Sequence, residues 1–140
     1  MRLESDVARE RIESARVARL ATASADGVPH LVPVTFALLD DNVLTFAVDH
    51  KPKRTNDLRR LRNIAANPAV SVLVDEYDDD WSRLWWARAD GTASIHTDAG
   101  AREPAVRALV AKYRQYTVQP PLGAVVRITV QRWSGWLAQN

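Results

Sequence analysis

The chain has no cysteine among its 140 residues, which removes disulfides, thiolate nucleophiles and cysteine-held zinc or iron–sulfur centres together. Glycine is scarce, five in all, and none falls in a dinucleotide fingerprint, a Walker lysine loop or a Gly-x-Ser-x-Gly elbow. A phosphate cradle built from glycine backbone is therefore hard to assemble. The histidines are His30, His50 and His96. They form no HExxH and no other pair at ligand spacing, so no metal site is expected, and His30 reads as a partly exposed structural residue. Long apolar runs are also missing. The longest candidate, Leu31–Leu39, is interrupted by Pro33 and Thr35 and falls far short of the ~20 residues that span a bilayer. The opening Met1-Arg2-Leu3-Glu4-Ser5-Asp6 holds no signal-peptide core. The expectation is a cytoplasmic protein with no membrane partner.

What remains is an ordinary globular composition, 46% hydrophobic and 26% charged, with the length of one domain, residues 1–140. Nineteen basic side chains stand against seventeen acidic ones, so arrangement matters more than total. Lys51, Lys53, Arg54, Arg59, Arg60 and Arg62 crowd one stretch, opposed there only by Asp57. Asp75, Glu76, Asp78, Asp79 and Asp80 follow it. A nucleic-acid binder usually spreads positive charge over a face, so no nucleic-acid partner is expected. The bland alternative for both blocks is a pair of solvated loops or helix faces.

Apolar spacing predicts a helix over Ser5–Arg16, with Ser5 or Asp6 as N-cap. Strands follow at Val17–Ala23 and Val28–Leu38, joined through Asp26-Gly27, a strong hairpin signal. Pro29 and Pro33 each remove a ladder donor from the second strand, which calls for an edge, a bulge or a non-strand neighbour. A third strand covers Val43–Val48. A helix from about Thr55 to Ala66, capped by Thr55 or Asn56, lays Leu58, Leu61 and Ala65 on one face and ends at Asn67-Pro68. Val70–Val74 reads as a buried strand, and Leu84–His96 as a long one with a bulge or turn at Asp90-Gly91. Asp98 caps a helix with Val106, Leu109, Val110 and Tyr113 on one face, where Pro104 fits only in the first turn. Ala124–Gln131 is the last strand. Six antiparallel strands in so short a chain point to a small barrel, mainly β with helices (α+β), the helices covering its openings.

Two features could carry chemistry. Lys51-Pro52-Lys53-Arg54-Thr55 stands immediately before the predicted helix, whose unpaired N–H groups and dipole favour an anion, so a phosphate site without glycines is plausible. A solvated basic turn is the alternative. Arg59, Arg60 and Arg62 continue down the helix and could hold further negative charge. The second feature is the aromatic set. Trp85 and Trp86 point to opposite faces of a strand, so only one can fill the core. The other needs a helix, a partner subunit or a ligand ring over it. No general acid stands out, and the catalytic residues stay unassigned.

Several stretches together resemble a known family. Ala18-Arg19-Leu20-Ala21-Thr22-Ala23 with Asp26-Gly27-Val28-Pro29-His30-Leu31-Val32-Pro33-Val34 is similar to the opening of the pyridoxamine-phosphate-oxidase-like split β-barrels. Lys53-Arg54-Thr55-Asn56-Asp57-Leu58 and Asn67-Pro68-Ala69-Val70-Ser71-Val72-Leu73-Val74-Asp75 resemble the family's phosphate loop, helix and fourth strand. Trp86-Ala87-Arg88-Ala89-Asp90-Gly91-Thr92-Ala93 resembles its fifth. The short actinobacterial-type branch, which uses the deazaflavin coenzyme F420 in place of FMN, fits best. The resemblance implies a six-stranded split barrel of the FMN-binding type, and a homodimer with two cofactor sites at the subunit interface. It implies an oxidoreductase that passes a hydride between deazaflavin and a small conjugated substrate. An FMN enzyme of the same fold and a non-enzymatic carrier are the alternatives. The cofactor phosphate would sit on Lys53, Arg54 and Thr55 with Lys51 close by, and its ring along Val32, Pro33 and Val34. Phe46 and Ala47 would flank the site, and Trp81 or Trp86 would approach from the partner subunit. The oxidases proper carry a C-terminal basic segment that grips the substrate phosphate. No such cluster follows Trp136, so vitamin-B6 oxidation is not expected.

Overall fold

The computed structural model describes residues 1–48 and 58–139. Helix α1 (Ser5–Ser14) leads into strands β1 (Ala18–Ala23), β2 (Pro29–Val34), β3 (Ala37–Asp40) and β4 (Val43–Ala47). Then come helix α2 (Arg59–Ala66), strand β5 (Ala69–Glu76), a 3-10 turn at Trp81–Arg83 and the long strand β6 (Trp85–His96). Helices α3 (Ala99–Lys112) and α4 (Gln115–Val118) precede β7 (Val125–Leu137). Among the described residues no helix is long and apolar enough to cross a membrane.

The expected six-stranded barrel is not what forms. Seven strands make one antiparallel sheet in the order β2-β1-β5-β6-β7-β4-β3, with β2 and β3 at its margins and no pairing between them among the described residues. The extra strand arises because the stretch expected as one strand, Val28–Leu38, breaks at Thr35-Phe36, and its halves join opposite margins. The sheet is therefore open. The prolines give a physical reason. Ser24 N–H donates to the Val28 carbonyl (3.0 Å), which makes Thr22/His30, Leu20/Val32 and Ala18/Val34 the hydrogen-bonded pairs of the hairpin. Residues 29, 31 and 33 thus turn their backbone nitrogens to the free edge, and only Leu31 among them carries a hydrogen. An edge so short of donors closes poorly.

Several local expectations hold. Gly27 has φ 85°, the left-handed conformation the hairpin turn needs. The register of β6 against β7 shifts between Asp90 and Gly91, with Gln131 of β7 as the extra residue of the bulge, and the Asp98 carboxylate caps α3 by accepting from Ala101 N–H (3.1 Å). Others are corrected. Pro104 lies in the second turn of α3; the carbonyl it leaves unbonded, that of Gly100, belongs to an exposed residue that water can satisfy. β7 runs on to Leu137, past the predicted end at Gln131. The described α2 begins at Arg59 after Leu58, with Asn63 and Ile64 as its buried residues; Ala65 is exposed. Asn63 reverses the binary pattern because its amide donates to the buried Thr22 hydroxyl (3.0 Å), which removes the cost of an unpaired buried amide.

Two apolar clusters result. The larger joins Ala8 and Ile12 of α1 and Ile64 of α2 to the inner sheet face, with Leu20, Val34, Phe46, Val72 and Ile128. The smaller joins Ala37, Leu109 and Tyr113, with Ala47 and Tyr116 packed against it.

Candidate functional site

A cavity of about 170 Å³ opens at the seam between the two clusters, lined by Pro33, Val34, Thr35, Phe46, Ala47, Arg60 and Tyr116. Four residues expected at a cofactor ring, Pro33, Val34, Phe46 and Ala47, thus come together. Each arrives there for a local reason. Pro33 and Val34 end β2 where the chain leaves one margin of the sheet for the other. Phe46 and Ala47 end β4, held in register against Val126 and Val125 of β7. Val32, also expected at the ring, does not line the cavity; it is partly buried against the main core.

Arg60 supplies the site's charge. It stands in the first turn of α2, its Nε is buried without a hydrogen-bond partner among the described residues, and burial lowers its guanidinium from the ordinary value. An orphaned buried donor of this kind costs about 1–3 kcal/mol, and an acceptor brought by a ligand would remove that cost. The opposite wall is a hydroxyl pair, Thr35 Oγ1 and Tyr116 OH, 2.9 Å apart. Planar apolar surface, one cation and hydroxyl donors suit the acceptor-rich edge of a planar heteroaromatic ring.

Lys51, Lys53, Arg54 and Thr55, the expected phosphate anchor, lie outside the described residues, as does His50. In sequence they fall between Ala47 and Arg60, both of which line the cavity. Neither Trp81 nor Trp86 lines it. Trp81 is 69% exposed on the 3-10 turn, its indole N–H donating to the Tyr77 hydroxyl (3.3 Å). Trp85 packs against the core, with the Arg11 guanidinium 4.7 Å from its ring centroid. Trp86 takes the other face, beside its register partner Trp136, in a recess of about 380 Å³ with Leu73, Tyr77 and Leu84. The two adjacent tryptophans thus divide between the faces, and Trp133, 7% exposed, joins the core.

Sequence reasoning missed Thr35 and Tyr116 as lining residues and treated Arg60 only as one of three arginines. The break at Thr35-Phe36 and the Tyr113-x-x-Tyr116 spacing were the available signals. Arg60 differs from Arg59 and Arg62 only in how α2 is rotated on the sheet, which its sequence does not display.

Solved structures with this fold include an FAD-binding protein from Mesorhizobium loti, 24% identical over 96% of this chain and 95% of that one, with a TM-score of 0.75. An FAD binding protein from Mycobacterium smegmatis is 18% identical over the whole of both chains, TM-score 0.71. A heme storage protein from Vibrio cholerae is 19% identical over 98% of this chain and 95% of that one, TM-score 0.71. At these identities the likeness is one of fold. No curated protein matches the sequence. The family model described as pyridoxamine 5'-phosphate oxidase matches residues 5–137, nearly the whole chain, and the protein belongs to that family.

Proposed function

We propose that the protein binds a flavin, FMN or a close relative, and serves redox chemistry on a small conjugated substrate. The observation that carries this reading is the seam cavity, where Pro33, Val34, Phe46 and Ala47 meet a guanidinium with a buried, unpartnered Nε. Arg60 would hold the polar edge of the ring, and the apolar side chains would orient it and exclude water. When bound, the flavin supplies hydride or electron transfer.

At about 170 Å³ the cavity admits a ring edge and no more, since sites for whole drug-sized ligands occupy ~300–1,000 Å³. The rest of the site must come from elsewhere. Lys51, Lys53, Arg54 and Thr55 would take the phosphate, and a second copy of the chain would cover the ring, bringing Trp81 or Trp86. The recess around Leu73, Trp86 and the 39%-exposed Trp136 supports such a homodimer, because apolar surface of this kind marks interaction sites.

The FAD-binding proteins of the same fold weigh towards a flavin. The deazaflavin coenzyme F420 is the second reading, favoured by the three arginines of α2, Arg59, Arg60 and Arg62, which suit its polyglutamate tail. Absorbance titration of purified protein with each cofactor separates the two. The expected result is saturable binding of FMN, one per protomer of a dimer seen by light scattering. Saturation by the deazaflavin alone would select the second reading. Binding of neither at about 100 μM, a free energy near 5.5 kcal/mol, would overturn both. Mixing the reduced complex with quinones and enones then separates enzyme from carrier, which would bind the cofactor without speeding its oxidation.

A further inference from the structure

Against the seam cavity lies a larger one of about 410 Å³, lined by Arg16, Thr35, Tyr113, Gln115 and Tyr116. The two share Thr35 and Tyr116 as a common wall. The Tyr113 and Tyr116 rings stand 5.7 Å apart at 80°, so the second cavity has flat aromatic surfaces. Among the described residues no acidic side chain lines it.

Its polar groups are fixed in advance. Arg16 donates from Nη2 to the Lys112 carbonyl (3.0 Å) and lies 4.8 Å from the Tyr113 ring centroid. The Tyr113 hydroxyl donates to the Arg16 carbonyl (2.9 Å) and accepts from Phe36 N–H (3.1 Å), so it is fully used. The Thr35 and Tyr116 hydroxyls have two protons between them and use one in their mutual bond; the other is left to donate. Behind Tyr113, Lys112 Nζ is buried without a hydrogen-bond partner among the described residues, 3.8 Å from the Phe36 ring centroid and 5.3 Å from that of Tyr113. A guanidinium held over an aromatic ring, neutral donors beside it and a second cation behind make a place for a planar anion.

We propose that this cavity is the substrate pocket and takes a planar conjugated carboxylate, with its carboxylate on Arg16 and its conjugated part against Tyr113 and Tyr116. Thr35 and Tyr116, which line both cavities, then border substrate and cofactor alike. The substrate role rests on the flavin reading; recognition of the anion does not.

The test is calorimetric titration of the protein, without added cofactor, with cinnamate and with its neutral analogue cinnamamide. Cinnamate is expected to bind at least about tenfold more tightly, the equivalent of one charge-assisted hydrogen bond. Arg16→Gln should bring acid and amide to within about twofold while FMN affinity stays within about threefold. Gln115→Glu, at an exposed position, should weaken cinnamate and spare cinnamamide, so the proposal stays testable if the first variant folds poorly. Equal affinities in the wild type, or a preference that survives both substitutions, would overturn it. An intact preference in a protein that binds no flavin would overturn the flavin reading and leave the anion pocket standing.

Discussion

At its Leu137 end, β7 lies beside Trp85, whose indole N–H donates to Glu76 (3.2 Å). Around it Arg19 pairs with Asp75 at 3.6 Å and Arg83 with Asp78 at 3.4 Å. The acidic run is thus a solvated structural corner, with Asp80 accepting from Ser82 N–H to cap the 3-10 turn. At its Val125 end the same strand lies beside Ala47, in the wall of the seam cavity. Arg60 Nε in that wall and Lys112 Nζ against Phe36 and Tyr113 are buried, and among the described residues neither has a hydrogen-bond partner or an ion pair. Exposed pairs of the first kind are worth about 0–1 kcal/mol each and complete a surface. Desolvated cations of the second kind lower stability on their own and mark places where a ligand supplies the missing partner.

Both regions hang on β6 and β7, so the most drastic way to break the contrast is to break that spine. A Cβ on Gly91 would collide with the Thr129 carbonyl oxygen and reach Ile128 Cγ2 at 3.1 Å, and a strand backbone cannot step aside as a flexible side chain can. Gly91→Ala is expected to cost about 2–3 kcal/mol in chemical denaturation, with loss of flavin binding following loss of fold. A cost under about 0.5 kcal/mol, the level of an ordinary surface change, would mean that β6 and β7 pack otherwise.

Lys112 sharpens the unpaired side through pH. Burial lowers its ammonium from 10.5 to about 8, with Arg16 adding to the effect and Glu13 opposing it. Below pH 8 both native and unfolded chains hold the proton, and the native state carries the whole desolvation cost. Between about 8 and 10.5 the native chain has released a proton that the unfolded chain retains, so stability rises with pH across that window. Lys112→Met should gain on the wild type at pH 7 and lose that advantage by pH 10 in paired thermal melts. A difference that does not change with pH would contradict the assignment.

The smallest effect belongs to the paired corner. Asp75→Asn removes one exposed partner of Arg19 and should shift stability by no more than about 0.5 kcal/mol, with flavin affinity untouched. A shift well above about 1 kcal/mol would show that the corner holds more of the fold than this contrast allows.

Local chemistry was legible in the sequence and long-range geometry was not. Asp26-Gly27, Asp98 and Asp90-Gly91 announced a turn, a cap and a bulge because each is decided within a few residues. The split at Thr35-Phe36 was hidden, because Val28–Leu38 is evenly extended and only the sheet order sends its halves to opposite margins. Pro29 and Pro33 did signal an edge, and an edge is what opens the barrel. In the site, Pro33, Val34, Phe46 and Ala47 came from family resemblance, with no periodicity to pick them out. Tyr116 sits beyond the predicted helix face, on a short helix with no buried residue of its own, so no apolar pattern pointed to it.

On the proposed reading the seam cavity, through Arg60, receives the cofactor. FMN titrated by difference absorbance into wild type, Arg60→Met and Arg83→Met tests it most directly, since the two arginines stand at opposite ends of β7. Arg60→Met is expected to weaken binding about ten- to a hundredfold, the range of a charge-assisted hydrogen bond, without lowering the melting temperature, while Arg83→Met matches the wild type. Equal affinities in all three proteins would contradict it.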